Sequence, residues 1–254
     1  MTDRTVSTDR APMRVGIFGR GRLGSAIAQE VRAAGDLELV WHLDLEDGPP
    51  PAGAELAFDA SVAGAVPGHL DWALATGTDL VIGATGWSLP DLQARIQGRI
   101  AVLTSPNFSL AVALMARLSL VLGRFAALDP ELDPFITDHH HRLKADAPSG
   151  TAKRLAAAVM AGCPRKTAWT LDTPAPEQLS IGVLRAGSEF GAHTVGLDGP
   201  AEVLELTHRA RSRGVFARGA VLSARWVRGR KGLFTFDQYA QETLDPLFQF
   251  GDPS

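Results

Sequence analysis

Between Met13 and Gly24 the chain runs MRVGIF, then GRGRLG, and continues into the helix-forming stretch SAIAQEVRAAG. An apolar run that breaks at glycines and resumes with helical periodicity reads as a strand, a tight turn and a helix. The turn spells Gly19, Arg20, Gly21, Arg22, Leu23, Gly24, a G-x-G-x-x-G pattern. Its first glycine permits the turn, its second lets a pyrophosphate approach the backbone, and its third lets the helix pack closely. Such a pattern alone is weak, and its context strengthens it. Leu37–Leu43 reads as a second strand ending at Asp44, about twenty residues past the last glycine, where a carboxylate would bind ribose hydroxyls.

The alternation continues. GPPPAG at Gly48–Gly53 is a loop, ELAFDAS a strand, His69–Ala75 a helix, DLVIGATG a buried strand, LPDLQARIQ a helix and IAVLTSPNFS a further strand. Strands alternating with helices imply α/β architecture with a doubly wound parallel sheet. Ligands on such sheets lie beyond the strand C-termini. Gly83, Ala84 and Thr85, and then Ser105, Pro106, Asn107 and Phe108, fall at those ends.

The densest chemistry lies later, in DHHHRLKADAPSGTAK from Asp138 to Lys153. Arg142 and Lys144 beside His139, His140 and His141 make a positive field that favours neutral imidazole and attracts anions. Pro148 and Ser149 suit a helix start, so the amides of Gly150 and Thr151 should project from a helix N-terminus, which binds carboxylates. A metal site is the alternative: His139 and His141 would share a strand face at about 7 Å. No residue at a suitable spacing completes a tetrahedral set and the nearby cations oppose an ion, so no metal is expected.

These residues resemble the signature E-x-H-H-x-x-K-x-D-x-P-S-G-T of the 4-hydroxy-tetrahydrodipicolinate (dihydrodipicolinate) reductase family. Here Asp138 replaces the glutamate, and His140, His141, Lys144, Asp146, Pro148, Ser149, Gly150 and Thr151 match. The resemblance extends to RAGSEFGAHTV and LELTHRARSRGVFARGA and covers most of the chain beyond the first dozen residues. It implies a Rossmann-type dinucleotide domain and a nicotinamide-dependent reduction. By the same resemblance His140 and Lys144 are the acid/base pair, and His141, Lys144, Ser149, Gly150 and Thr151 hold substrate carboxylates, with Arg213 facing the substrate. The glycine turn is one residue shorter than the family's, and Leu23 stands for its methionine. Gly83, Ala84 and Thr85 and Ser105–Phe108 resemble the nicotinamide and ribose contacts. After Asp44 comes Leu45, where relatives that accept NADPH place an arginine, so NADH is the expected preference, with NADPH left open through Arg20 and Arg22. A homotetramer is implied by the family alone.

The expected organisation is a polar lead-in at 1–12, a dinucleotide-binding domain at 13–109 plus 217–254, and an α+β substrate and oligomerisation domain at 110–216. The latter should carry an antiparallel sheet from SIGVLRAG, AHTVGL and AEVLELTHRA, with Pro164–Gln178 as a loop. Chain crossings should lie near Asn107 and Arg213. At 254 residues the chain can bury roughly 70% of its surface without staples. A net charge of −3 gives no electrostatic footprint for nucleic acid or an anionic membrane, leaving small molecules as partners. The single Cys163 cannot form an internal disulfide, the start lacks an apolar signal core, and Arg117 and Arg124 interrupt the apolar run Leu110–Leu128. A cytoplasmic setting fits. Two rivals share these features: a dehydrogenase of another amino or imino dicarboxylate, and a non-catalytic dinucleotide sensor.

Overall fold

The structure is a computed structural model and describes residues 11–249; most of the expected lead-in at 1–12 lies outside the described residues. The described residues divide into two compact units, 11–108 with 213–249, and 109–212. The second unit is thus four residues shorter at its C-terminal end than the sequence suggests, because Arg213 caps a helix of the first unit.

The first unit is a six-stranded sheet in the order β11-β5-β4-β3-β1-β2, every neighbouring pair parallel. Its strands are β1 (Met13–Phe18), β2 (Leu37–Leu43), β3 (Leu56–Asp59), β4 (Asp79–Ile82), β5 (Ala101–Thr104) and β11 (Gly232–Thr235). The central strands are buried on both faces, which is why they read as unbroken apolar runs. Leu80, Ile82 and Val102 point to the face covered by α2 (Val66–Thr76) and α3 (Leu92–Ile96). The opposite face meets α1 (Arg22–Ala33) and α6 (Gly214–Val227), which also pack on each other. Fully burying one such aliphatic side chain contributes about 1.5–3 kcal/mol. A helix the sequence reading missed, α7 (Phe236–Leu244), begins in a capping box between Thr235 and Gln238.

In the second unit, α4 (Leu110–Ala126) and α5 (Gly150–Gly162) cover one face of a sheet ordered β10-β9-β6-β8-β7. Met115, Leu155 and Val159 from the helices meet Ile136, Ile181 and Val195 from the sheet. The strands are β6 (Asp133–His140), β7 (Ala168–Thr170), β8 (Gln178–Arg185), β9 (Ala192–Asp198) and β10 (Val203–Arg209). The sheet is mixed, not antiparallel as expected: β6 with β8 and β7 with β8 run parallel, while β9 is antiparallel to β6 and β10. The connection from β6 to β8 passes through α5, and a helical crossover returns the chain in the same direction. β7 lies within the stretch expected to be loop. Lys166, only 4% exposed, secures that stretch by donating to the carbonyls of Pro176 and Gln178 and pairing with Asp133 at 2.6 Å. Among the described residues no helix is long and apolar enough to cross a membrane.

Candidate active site

In the first unit the turn after β1 has the geometry of a phosphate cradle. Gly19 sits at φ +95°, and a Cβ there would lie 2.6 Å from the Ala60 carbonyl oxygen. A Cβ on Gly24 would fall 1.9 Å from the Gly19 oxygen, so α1 can start against the turn only with glycine at that position. At Gly21 nothing lies within 4 Å of where a Cβ would project, and no side chain caps the helix there. The unpaired amides of a first helical turn facing open space suit a pyrophosphate. The residues present therefore fit a dinucleotide, even with the shortened turn.

Two cavities flank this turn. One, of about 270 Å³, is lined by Gly19, Asp44, Leu45 and neighbours at the ends of β1, β2 and β3. Asp44 is exposed there, with one carboxylate oxygen accepting from the Leu45 amide at 2.9 Å. Arg20 is committed elsewhere: its guanidinium pairs with Asp47 at 2.8 Å and its Nε donates to the His42 carbonyl at 3.1 Å. The other cavity, of about 210 Å³, lies at the ends of β4 and β5 and gathers Leu23, Gly83, Pro106, Asn107 and Phe108 with Arg213 and Phe216. Ala84, Thr85, Ser105 and Arg22 are not among its walls; the Ser105 hydroxyl is spent on the Asn107 carbonyl at 2.7 Å. Arg213, expected with the substrate residues, belongs to the first unit, because it sits at the start of α6.

In the second unit the histidine motif ends a strand and starts a helix. Alternation along β6 points Asp138 and His140 to the same buried face and leaves His139 partly exposed on the other. His140 Nδ1 lies 2.9 Å from Asp138 Oδ1, and His193 Nε2, from β9, lies 3.3 Å from the same oxygen. Both contacts are at ion-pair distance without hydrogen-bond alignment. The other oxygen, Oδ2, accepts from the Ser149 amide at 2.7 Å and from Arg185 at 3.0 Å. Burial alone would raise the Asp138 pKa; contacts from His193, Ser149 and Arg185 overcome it and hold the carboxyl well below its usual range. His140 is pushed down to about 4, chiefly by burial, with Asp138 opposing and His193, Lys144 and Arg185 reinforcing. It is a neutral imidazole at physiological pH. Its Nε2 faces Gly191, where a Cβ would stand 2.9 Å away.

The chain leaves β6 at His141, whose amide donates to the Glu189 carbonyl at 2.8 Å, and reaches Lys144, paired with Asp146 at 2.6 Å. Ser149 is buried and caps α5: its hydroxyl accepts from the Ala152 amide at 3.1 Å and meets His193 Nε2 at 3.2 Å. Its side chain is therefore structural, leaving the partly or fully exposed Gly150 and Thr151 as the accessible helix start. The histidine pair expected at metal spacing, His139 and His141, is not the one brought together. Asp138, His140 and His193 form the cluster with metal-type donors, and one oxygen of its carboxylate is already held by Arg185.

A unit built to hold a dinucleotide, joined in one chain to a unit presenting a buried histidine, a lysine and a cationic helix start, defines a nicotinamide-dependent oxidoreductase of an anionic small molecule. The comparisons give the particular family. The profile described as dihydrodipicolinate reductase, C-terminus, matches residues 110–239. The chain is 34% identical over 233 residues to the 4-hydroxy-tetrahydrodipicolinate reductase of Methanoculleus marisnigri, spanning 83% of this chain and 91% of that protein. It is 39% identical over 233 residues to the one from Magnetococcus marinus, spanning 86% and 79%. A dipicolinate-bound dihydrodipicolinate reductase from Paenisporosarcina sp. TG-14 shares the fold, with a TM-score of 0.70 at 24% identity over 88% of this chain and 97% of that one. The chain belongs to the dihydrodipicolinate reductase family.

The sequence reading takes His193 as a structural hydrogen-bonding residue and gives no site role to Arg185 or to Asp138 beyond its place in the signature, whereas the structure joins all three around His140. Arg185 and His193 are 47 and 55 positions from Asp138 and arrive only through strand pairing of β6 with β8 and β9. It also gave no role to His69, which the fold brings to the cavity beside Asp44.

Proposed function

We propose that the protein reduces 4-hydroxy-tetrahydrodipicolinate to tetrahydrodipicolinate with a reduced nicotinamide dinucleotide, in diaminopimelate and lysine biosynthesis. The observation that carries this reading is His140 set beside Asp138, followed on one loop by Lys144 and the start of α5. In this reading the glycine turn would hold the dinucleotide, which would supply hydride for the carbon-carbon double bond left after water is lost. The protein's own residues position the substrate and move protons. Lys144 donates a proton, and neutral His140 accepts and returns one. The amides of Gly150 and Thr151, with His141 and Lys144, hold the carboxylates. Supplying substrate through the preceding synthase and following nicotinamide absorbance tests the assignment; no absorbance change would overturn it.

We assign NADH as the preferred cofactor. A 2′-phosphate beside Asp44 would meet a carboxylate with Leu45, not a cation, next to it, and Arg20 is already neutralised by Asp47. Lacking one charge-assisted contact costs about 1.5–3 kcal/mol, so kcat/KM should favour NADH by roughly ten- to a hundredfold. Equal or better use of NADPH in initial-rate assays would refute this.

Pyridine-2,6-dicarboxylate should compete with substrate and far outbind pyridine-2-carboxylate. The Lys144–Asp146 pair is half exposed on the carboxylate side and so contributes little, about 0–1 kcal/mol, which frees the ammonium for a ligand. Charge-assisted hydrogen bonds from lysine and helix end are about twice as strong as neutral ones. Lys144→Ala should erase the difference between diacid and monoacid. A difference that survives in the variant, or no difference in the parent, would favour a simpler amino-acid dehydrogenase. The homotetramer is likewise proposed, supported by the second sheet's uncovered face, where Leu184 and Val203 remain exposed.

A further inference from the structure

The cavity beside Asp44 contains a histidine held more firmly than a surface residue needs to be. His69, on α2, directs Nδ1 to Asp59 Oδ2 at 2.8 Å. The Asp59 side chain, at the end of β3, is fully buried, and its other oxygen accepts from the Ser61 amide at 3.1 Å and the Ser61 hydroxyl at 2.5 Å. The imidazole lies flat on Phe18, with ring centroids 3.7 Å apart and planes 10° from parallel. A hydrogen bond at one edge and stacking on one face fix both the position and the plane of the ring. Because a carboxylate only accepts, the proton belongs on Nδ1, and Nε2 is left as an acceptor.

The surroundings say what that acceptor is for. Apart from His69, Ser61 and, on the ribose side, Asp44, the cavity walls are largely apolar, with Phe18, Leu43, Pro49, Pro50 and Trp72 forming a slot of about 270 Å³. A largely apolar slot with an imidazole fixed in its wall suits a flat heteroaromatic ring. The slot lies on the Asp44 side of the glycine turn, and the cavity of Asn107 and Phe108 lies on the other. A dinucleotide crossing the turn with its ribose at Asp44 therefore places its adenine, not its nicotinamide, in the slot. Ser61 also lines the slot, but its hydroxyl is donated to Asp59.

We propose that His69 is the residue that reads the base, its Nε2 accepting a hydrogen bond from the adenine amino group and its position maintained by Asp59. The proposal rests on the dinucleotide reading of the first unit and adds to it a specificity-determining residue.

Calorimetric titration of the full-length protein with NADH and with its hypoxanthine counterpart tests it. The hypoxanthine form carries a carbonyl where adenine carries the amino group, so two acceptors would face each other. NADH should bind about tenfold tighter, the worth of one hydrogen bond to a partner that is otherwise left unsatisfied. In His69→Asn the side-chain amide can still donate to Asp59 but places nothing at the Nε2 position, so the two dinucleotides should bind alike. Equal affinities in the wild type, or a preference that persists in a folded His69→Asn, would overturn the proposal. A measurement independent of the variant is the nitrogen-15 resonance of His69 Nε2 in histidine-labelled wild type. It should move with adenosine monophosphate and not with inosine monophosphate; an unmoved resonance at saturating adenosine monophosphate refutes the contact. Should neither dinucleotide bind the wild type at all, the dinucleotide reading itself fails, an outcome distinct from equal binding of both.

Discussion

His140→Gln is expected to bind NADH with unchanged affinity and to lose roughly 10² to 10⁴ in kcat, the usual worth of a positioned acid/base group. The dinucleotide cradle belongs to the first unit and His140 to the second, so ground-state cofactor binding does not depend on the imidazole. Glutamine fills similar space and keeps a polar tip beside Asp138, but it cannot exchange a proton. The same change should alter stability in acid. The His140 pKa falls from 6.5 to about 4 on folding, so the folded state resists protonation. Above the unfolded value of 6.5 this group costs the folded state nothing; as pH falls from there the penalty grows, reaching on the order of 3 kcal/mol near pH 4. Denaturation midpoints of His140→Gln should therefore fall less steeply over that window than those of the parent. A variant that retains kcat within a few-fold would remove His140 from the chemistry.

Asp138→Asn is expected to destabilise the protein by about 3 kcal/mol, the lower end of the loss from breaking a buried ion pair by removing one partner. The carboxylate is wholly buried and serves Arg185, the Ser149 amide, His140 and His193 together. An amide supplies one acceptor oxygen and turns an NH₂ group toward donors, leaving Arg185 uncompensated. Because the Asp138 pKa is depressed on folding, its contribution is complete above the unfolded carboxylate value near 3.8 and disappears only as pH falls through its much lower folded value. The destabilisation should thus be constant from neutral pH down to about 5 in urea melts. Asp138→Glu, which restores the residue of the family signature, should keep the charge and most of the activity. Full stability in Asp138→Asn would show that the network does not depend on the charge.

Much of this was legible in the sequence because it is local. The glycine turn, the strand ends at Asp44, Gly83 and Ser105, and the Ser149 helix start are set by a few adjacent residues, whose backbone limits allow few conformations. The missed α7 is also local: its capping box is present in Thr235–Gln238 but follows directly on a strand without a loop to announce it. The direction of β8 was not local. Alternation in SIGVLRAG shows a strand and its buried face equally well for either pairing, and only the helical crossover through α5 makes it parallel to β6.

The dinucleotide fold of the first unit and the residue types of the histidine motif follow from the order of amino acids alone, since short-range sterics and periodicity suffice for both. Tertiary structure decided the electrostatics. His140 is neutral because packing buries it; Asp138 is ionised because β8 and β9 bring Arg185 and His193 to it; Ser149 is a cap because α5 starts beneath that network. It decided the cofactor side as well, tying Arg20 to Asp47 and stacking His69 on Phe18. Charge interactions depend on distance and burial, and neither exists until strands far apart in the chain lie side by side.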